Sequence, residues 1–85
     1  MYITVKDLIE LLQKEQPERV VICQSDSEGN GFSPLALAYT GAYRQNEPWS
    51  GEIIIEELTP ELRQQGFTEE DMRGGIPALV LQPTN

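Results

Sequence analysis

Apolar positions in the first fifteen residues recur at helical spacing. Val5, Leu8, Ile9 and Leu12 stand at i, i+3, i+4 and i+7, with Lys6, Glu10, Gln13 and Lys14 between them. The spacing predicts an amphipathic helix over residues 5–15 with one core-facing stripe. Thr4 is placed to cap it: its hydroxyl accepts from the backbone N–H three residues on, where Asp7 meets the positive end of the helix. Pro17 stops the helix, because it lacks an N–H and pushes the residue before it out of the helical region. The pattern then changes to that of strands. The β-branched run at 19–24 predicts a short central strand covered on both faces. Residues 35–43 and 52–57 predict two more, the second with three isoleucines between acids, and 78–81 a last one ended by Pro83. The polar segment 44–51, with Pro48 and Gly51, predicts a loop. Thr59-Pro60-Glu61 and Thr68-Glu69-Glu70-Asp71 carry N-cap and first-turn signals, predicting two short helices closed by Gly66 and by Gly74-Gly75.

Together these elements predict a single small α+β domain over residues 1–85. It is a mainly antiparallel sheet of about four strands, with the N-terminal amphipathic helix on one face and two short helices before the last strand. One helix covers one side of a sheet, so the other side needs the short helices or a second protomer, and a homodimer is expected on that ground.

Charge narrows the partners. The chain carries 14 Asp and Glu against 6 Lys and Arg and has no His, a formal net charge of −8. Such a surface repels phosphate backbones and anionic membranes, so neither nucleic acid nor a membrane is an expected partner. Between residues 45 and 71 stand Glu47, Glu52, Glu56, Glu57, Glu61, Glu69, Glu70 and Asp71 against Arg63 alone. This face suits a basic protein surface, and it also suits plain solubility. Tyr43 and Trp49, aromatic residues in a polar stretch, are candidate interface anchors beside Glu52, Glu56, Glu57, Glu69 and Glu70. Cys23 is the sole cysteine and sits in an apolar run, which reads as a buried thiol in a reducing cytoplasm. The longest apolar run, 35–39, is far short of the roughly 20 residues that span a bilayer, and early charges at Lys6 and Asp7 leave no sign of a secretory leader.

Catalytic chemistry finds little support. Without His, the serines have no evident neighbouring base, and the pairs Glu56-Glu57 and Glu69-Glu70 diverge in direction on a strand or helix. No enzyme activity and no cofactor are expected. The stretch SDSEGNGFSPL, residues 25–35, offers the one metal-like pattern: Asp26, Glu28 and Asn30 at alternate positions, then Gly31 and the Phe32 carbonyl, as in the early half of a calcium loop. Leu37 occupies the position where that loop needs a bidentate glutamate, and the flanks read as strands rather than helices. The pattern favours a tight connection, Asp26 bonding local backbone and Gly29 and Gly31 taking positive φ, with cation or small-ligand binding by residues 26–32 as the alternative.

The segments TVKDLIELLQK, SDSEGNGFSPL, QGFTEEDM and PALVLQP together resemble a group of small bacteriophage- and prophage-encoded proteins of unassigned activity. The resemblance covers most of the chain, and its more specific parts are the glycine-rich loop with FSPL and the TEEDM segment. It implies work in the cytoplasm of a bacterial host, through binding of a host protein, as an inhibitor or a mimic of nucleic acid. The function expected is therefore that of a non-enzymatic acidic binding module.

Overall fold

A computed structural model of the chain describes residues 2–85. The order of elements is α1 (Val5–Leu12), β1 (Ile22–Gln24), β2 (Phe32–Glu47), β3 (Ser50–Ile54), α2 (Pro60–Gln64), a 3₁₀ helix (Glu69–Met72) and β4 (Ile76–Pro83). The four strands form an antiparallel sheet, and with the short helices the chain is of mixed α+β class. β2 is its hub, pairing with β1, β3 and β4. Ile22 faces Pro34 and Gln24 faces Phe32 on the β1 side, while Ala42 faces Ile54 and Arg44 faces Glu52 on the β3 side. Thr84 N–H donates to the Pro34 carbonyl at 2.9 Å.

The chain divides into two compact units, Met1–Leu37 with Leu81–Asn85, and Ala38–Val80. The division falls within β2 and within β4. In the first unit Thr4 caps α1 by a reciprocal box: Asp7 N–H donates to Thr4 Oγ1 at 3.2 Å, and Thr4 N–H donates to Asp7 Oδ2 at 3.0 Å. These bonds hold the Asp7 carboxyl below its ordinary pKa. In the second unit Thr59 caps α2 through Leu62 N–H at 3.2 Å, with Pro60 in the first turn, and Thr68 N–H donates to Asp71 Oδ2 at 2.8 Å to start the 3₁₀ helix.

Several boundaries differ from the sequence expectation. The helix expected over 5–15 ends at Leu12, and its stripe is half exposed: Val5, Ile9 and Leu12 all keep about half their surface open. The expected central strand at 19–24 is a three-residue edge instead, since β1 pairs only with β2 and Val20 is 82% exposed. Cys23 is half-buried rather than buried. The loop expected over 44–51 is mostly strand. β2 runs on to Glu47, and only Pro48 and Trp49 turn the chain into β3. Glu56 and Glu57, expected in a strand, lie in a bend after β3. The last strand is longer than 78–81, running Ile76–Pro83. Pro34, read as part of a loop, belongs to β2. Its missing N–H falls at the end of the β4 ladder, where little pairing is lost.

Packing in the hairpin of the second unit relies on glycine. Tyr43 and Ile53 are opposite each other, and their side chains lie over Gly51 and Gly41 respectively. A Cβ on Gly51 would stand 2.7 Å from the Tyr43 ring and would collide with the Arg44 carbonyl. On the other face Arg44 joins three segments. Its guanidinium donates to Glu52 Oε2 at 3.3 and 3.4 Å and to the Arg73 carbonyl at 3.3 Å. Beside it, Ala42 is 5% exposed, the one large or small apolar side chain among the described residues, glycine aside, that counts as buried.

Replacing Gly51 with Val is therefore expected to destabilise the fold by about 1 to 3 kcal/mol, because the added atoms have no room to move into. A urea titration monitored by circular dichroism checks this, and a variant with an unchanged midpoint contradicts the packing described.

Candidate partner-binding surface

Trp49 stands at the tip of the β2–β3 hairpin with Pro48, in a two-residue turn, and is 80% exposed. The hairpin behind it is held by the Tyr43–Gly51 contact and by the Arg44–Glu52 bridge, so the indole projects from a braced support. Tyr43, the other expected anchor, lies half-buried along the hairpin, with its ring over Gly51. It supports the tip rather than sharing Trp49's exposure.

The acidic residues separate into two groups. Glu52 pairs with Arg44 at 3.3 Å, Glu69 with Arg63 at 2.7 Å and Glu70 with Arg73 at 2.8 Å. The Arg63 bond holds the Glu69 carboxyl below its ordinary pKa. Asp71 is engaged by Thr68 N–H. Among the described residues, the carboxylates of Glu47, Glu56, Glu57 and Glu61 make neither a hydrogen bond nor an ion pair. The face counted from sequence as eight acids against Arg63 is thus partly neutralised: Arg44 and Arg73, just outside the counted window, fold back onto Glu52 and Glu70. What remains unpaired flanks the hairpin in sequence, Glu47 before the tip and Glu56 and Glu57 after β3.

A cleft of about 580 Å³ opens in the same unit. Arg44, Glu52, Glu56 and Asp71 supply its charged lining and Ile54 and Phe67 part of its apolar lining. Its only guanidinium is already held by Glu52, so the remaining field favours a cation, and its lining has no nucleophile beside a base.

The 25–31 loop shows what Asp26 does. Its Oδ1 accepts from Glu28 N–H at 2.9 Å and Asn30 N–H at 3.2 Å, and its Oδ2 accepts from the Asn30 side-chain amide at 2.8 Å. Asn30 therefore turns its donor, not its oxygen, toward Asp26, the reverse of joint cation ligation. Gln24 adds a bond from its side-chain amide to the Asp26 carbonyl at 2.7 Å. Gly29 takes the expected positive φ, +78°. Gly31 does not. Its side is closed instead by Ser25 Oγ, 3.2 Å from where a Cβ would stand. Among the described residues, no group of three or more Asp, Glu, Cys or His side chains is gathered as a metal site, and no helix is long and apolar enough to cross a membrane.

The sequence matches no family model, and no curated protein or solved structure matches it. The assignment of function therefore rests on the surface just described.

The Asn30 bonds depress the Asp26 pKa, first through the side-chain amide and then through the backbone N–H. A carboxyl with a lowered folded-state pKa adds stability above its ordinary pKa and loses that stability as pH falls through the lowered one. NMR titration of Asp26 is expected to show a midpoint below that of an ordinary aspartate, moving upward in Asn30→Ala. An ordinary midpoint in the parent contradicts the loop geometry.

Proposed function

We propose that the chain is a non-enzymatic acidic binding module that engages a basic protein surface through the Trp49 hairpin tip. The observation that carries this reading is an indole 80% exposed on a short, braced turn. An exposed Trp contributes nothing to the chain's own core, whereas its burial in a partner's pocket contributes a few kcal/mol, on the order of an interface hot spot. A two-residue turn loses little conformational freedom on binding, which favours affinity.

The carboxylates act differently. Glu47, Glu56 and Glu57 are solvated and unpaired, so they mainly speed encounter with a basic partner. Glu52, Glu69 and Glu70 already hold arginines, and contribute a mixed-sign rim. Tyr43 serves by bracing the hairpin. The resemblance to phage- and prophage-encoded proteins makes a host protein of the bacterial cytoplasm the partner class, and a basic, nucleic-acid-binding surface is the kind of site this face would occupy.

Trp49→Ala is expected to abolish capture of the partner from bacterial lysate while leaving the melting curve within about 0.5 kcal/mol of the parent, since the side chain packs on little of its own chain. Joint neutralisation of Glu47, Glu56 and Glu57 to Gln is expected to slow association and flatten its salt dependence, with dissociation little changed, measured by surface plasmon resonance on the captured partner. A partner retained equally by both variants removes this surface from the account.

A further inference from the structure

The surface left open is large, and its exposed apolar residues are unevenly placed. The chain exposes 7198 Å². A compact monomer of its 9.6 kDa exposes about 5,100 Å², and two separate compact bodies of half that mass about 6,100 Å². Taken apart, the two units would expose at least as much as the whole chain, so by themselves they exceed two separate compact bodies. That excess amounts to about 1,100 Å² per chain on that scaling, so two copies covering each other would bury about 2,200 Å², at the lower end of obligate homodimers.

The open surface is concentrated. Of the seventeen exposed large apolar residues among those described, twelve belong to the unit Met1–Leu37 with Leu81–Asn85 and five to Ala38–Val80. The second unit carries the unpaired acids Glu47, Glu56, Glu57 and Glu61, and all three lysine and arginine residues it has are ion-paired. Self-association is thus opposed by charge at the second unit and favoured by apolar area at the first.

Within the first unit β1 has an open edge. Leu35 N–H donates to the Val21 carbonyl and Ser25 N–H to the Gly31 carbonyl, so residues 21 and 25 face β2. Alternation then points the backbone groups of Val20, Ile22 and Gln24 away from the sheet. Edges of this kind are normally guarded by charge, proline or cover. The β4 edge has Pro77 and Pro83, and β3 has Glu52 with Glu56 and Glu57 beyond it. The β1 edge has none of these within residues 20–24.

We propose that a second copy of the chain completes the fold: β1 pairs antiparallel with β1 of the second copy about a twofold axis near Ile22, and the half-exposed α1 stripe of Val5, Ile9 and Leu12 is covered in the same interface. An antiparallel pair of identical strands satisfies twofold symmetry by construction, which is why a second copy, rather than an unrelated protein, suits this edge.

Light scattering at micromolar concentration is expected to give twice the 9.6 kDa chain mass. Val20→Lys separates interface from stability, because Val20 is 82% exposed in the single chain and a lysine there leaves a monomer's packing intact. The variant is expected to scatter as a monomer at the same concentration. By hydrogen exchange, the Ile22 and Gln24 amides are expected to be protected in the parent and to lose that protection in the variant. A monomeric parent overturns the proposal, and so does a dimer that survives Val20→Lys with Ile22 and Gln24 amides exchanging freely.

Discussion

The central constraint on this protein is that its sheet is organised around a single strand while almost nothing is buried beside it. β2 runs for 16 residues and pairs with every other strand, yet Ala42 and Gly41 are the only described residues that are buried. Hydrophobic burial is the dominant favourable term in folding, and ordering a chain of this length costs on the order of 100 kcal/mol in conformational entropy. Half-covered side chains recover only part of the available transfer energy. The local devices of the fold, its capping boxes, the Arg44 junction and the glycines under Tyr43 and Ile53, fix geometry but each contributes little net stability. The proposed second copy would supply the missing burial at the unit where most of the open apolar side chains lie.

The two units then differ in what they offer. Most of the exposed large apolar residues, the unguarded edge of β1 and all the lysines belong to one; the exposed Trp49 tip and the unpaired Glu47, Glu56, Glu57 and Glu61 belong to the other. The proposed dimer through the first unit would carry two copies of the hairpin tip. Paired tips bring effective concentration into play: once one is bound, the second engages without a new encounter, raising overall affinity without adding contacts.

Features set by local physics are legible in the sequence. Thr4 with Asp7, Thr59 with Pro60, and Gly66 at φ +103° act as their residue types predict. Asp26 holds its loop by bonds to residues two and four positions on, a preference built into aspartate itself. What was not legible depends on neighbours distant in the chain. Arg44, Gln45, Asn46 and Glu47 look like a loop because they are polar, but Arg44, Gln45 and Glu47 pair with β3, with the register shifting at Asn46, and form a largely exposed strand end where polarity carries no penalty. The 19–24 run looks central because it is β-branched, and it is an edge, which periodicity alone cannot distinguish from a strand awaiting a partner. The acidic face looked larger in sequence than it is, since Arg44 and Arg73 meet their glutamates only in the folded chain. The signal in the sequence for the longer hairpin is Gly51, because a bare glycine in a strand invites a ring over it, here that of Tyr43, diagonally placed on β2.

The most direct test of coupling between folding and self-association is the dependence of thermal unfolding on protein concentration. A fold completed by a second copy has a midpoint that rises with concentration, because association draws on the folded state by mass action. Calorimetry over a hundredfold dilution series, about the span needed for mass action to shift the midpoint measurably, is predicted to show the midpoint falling steadily on dilution. A single cooperative transition at the same temperature throughout the series would contradict the account.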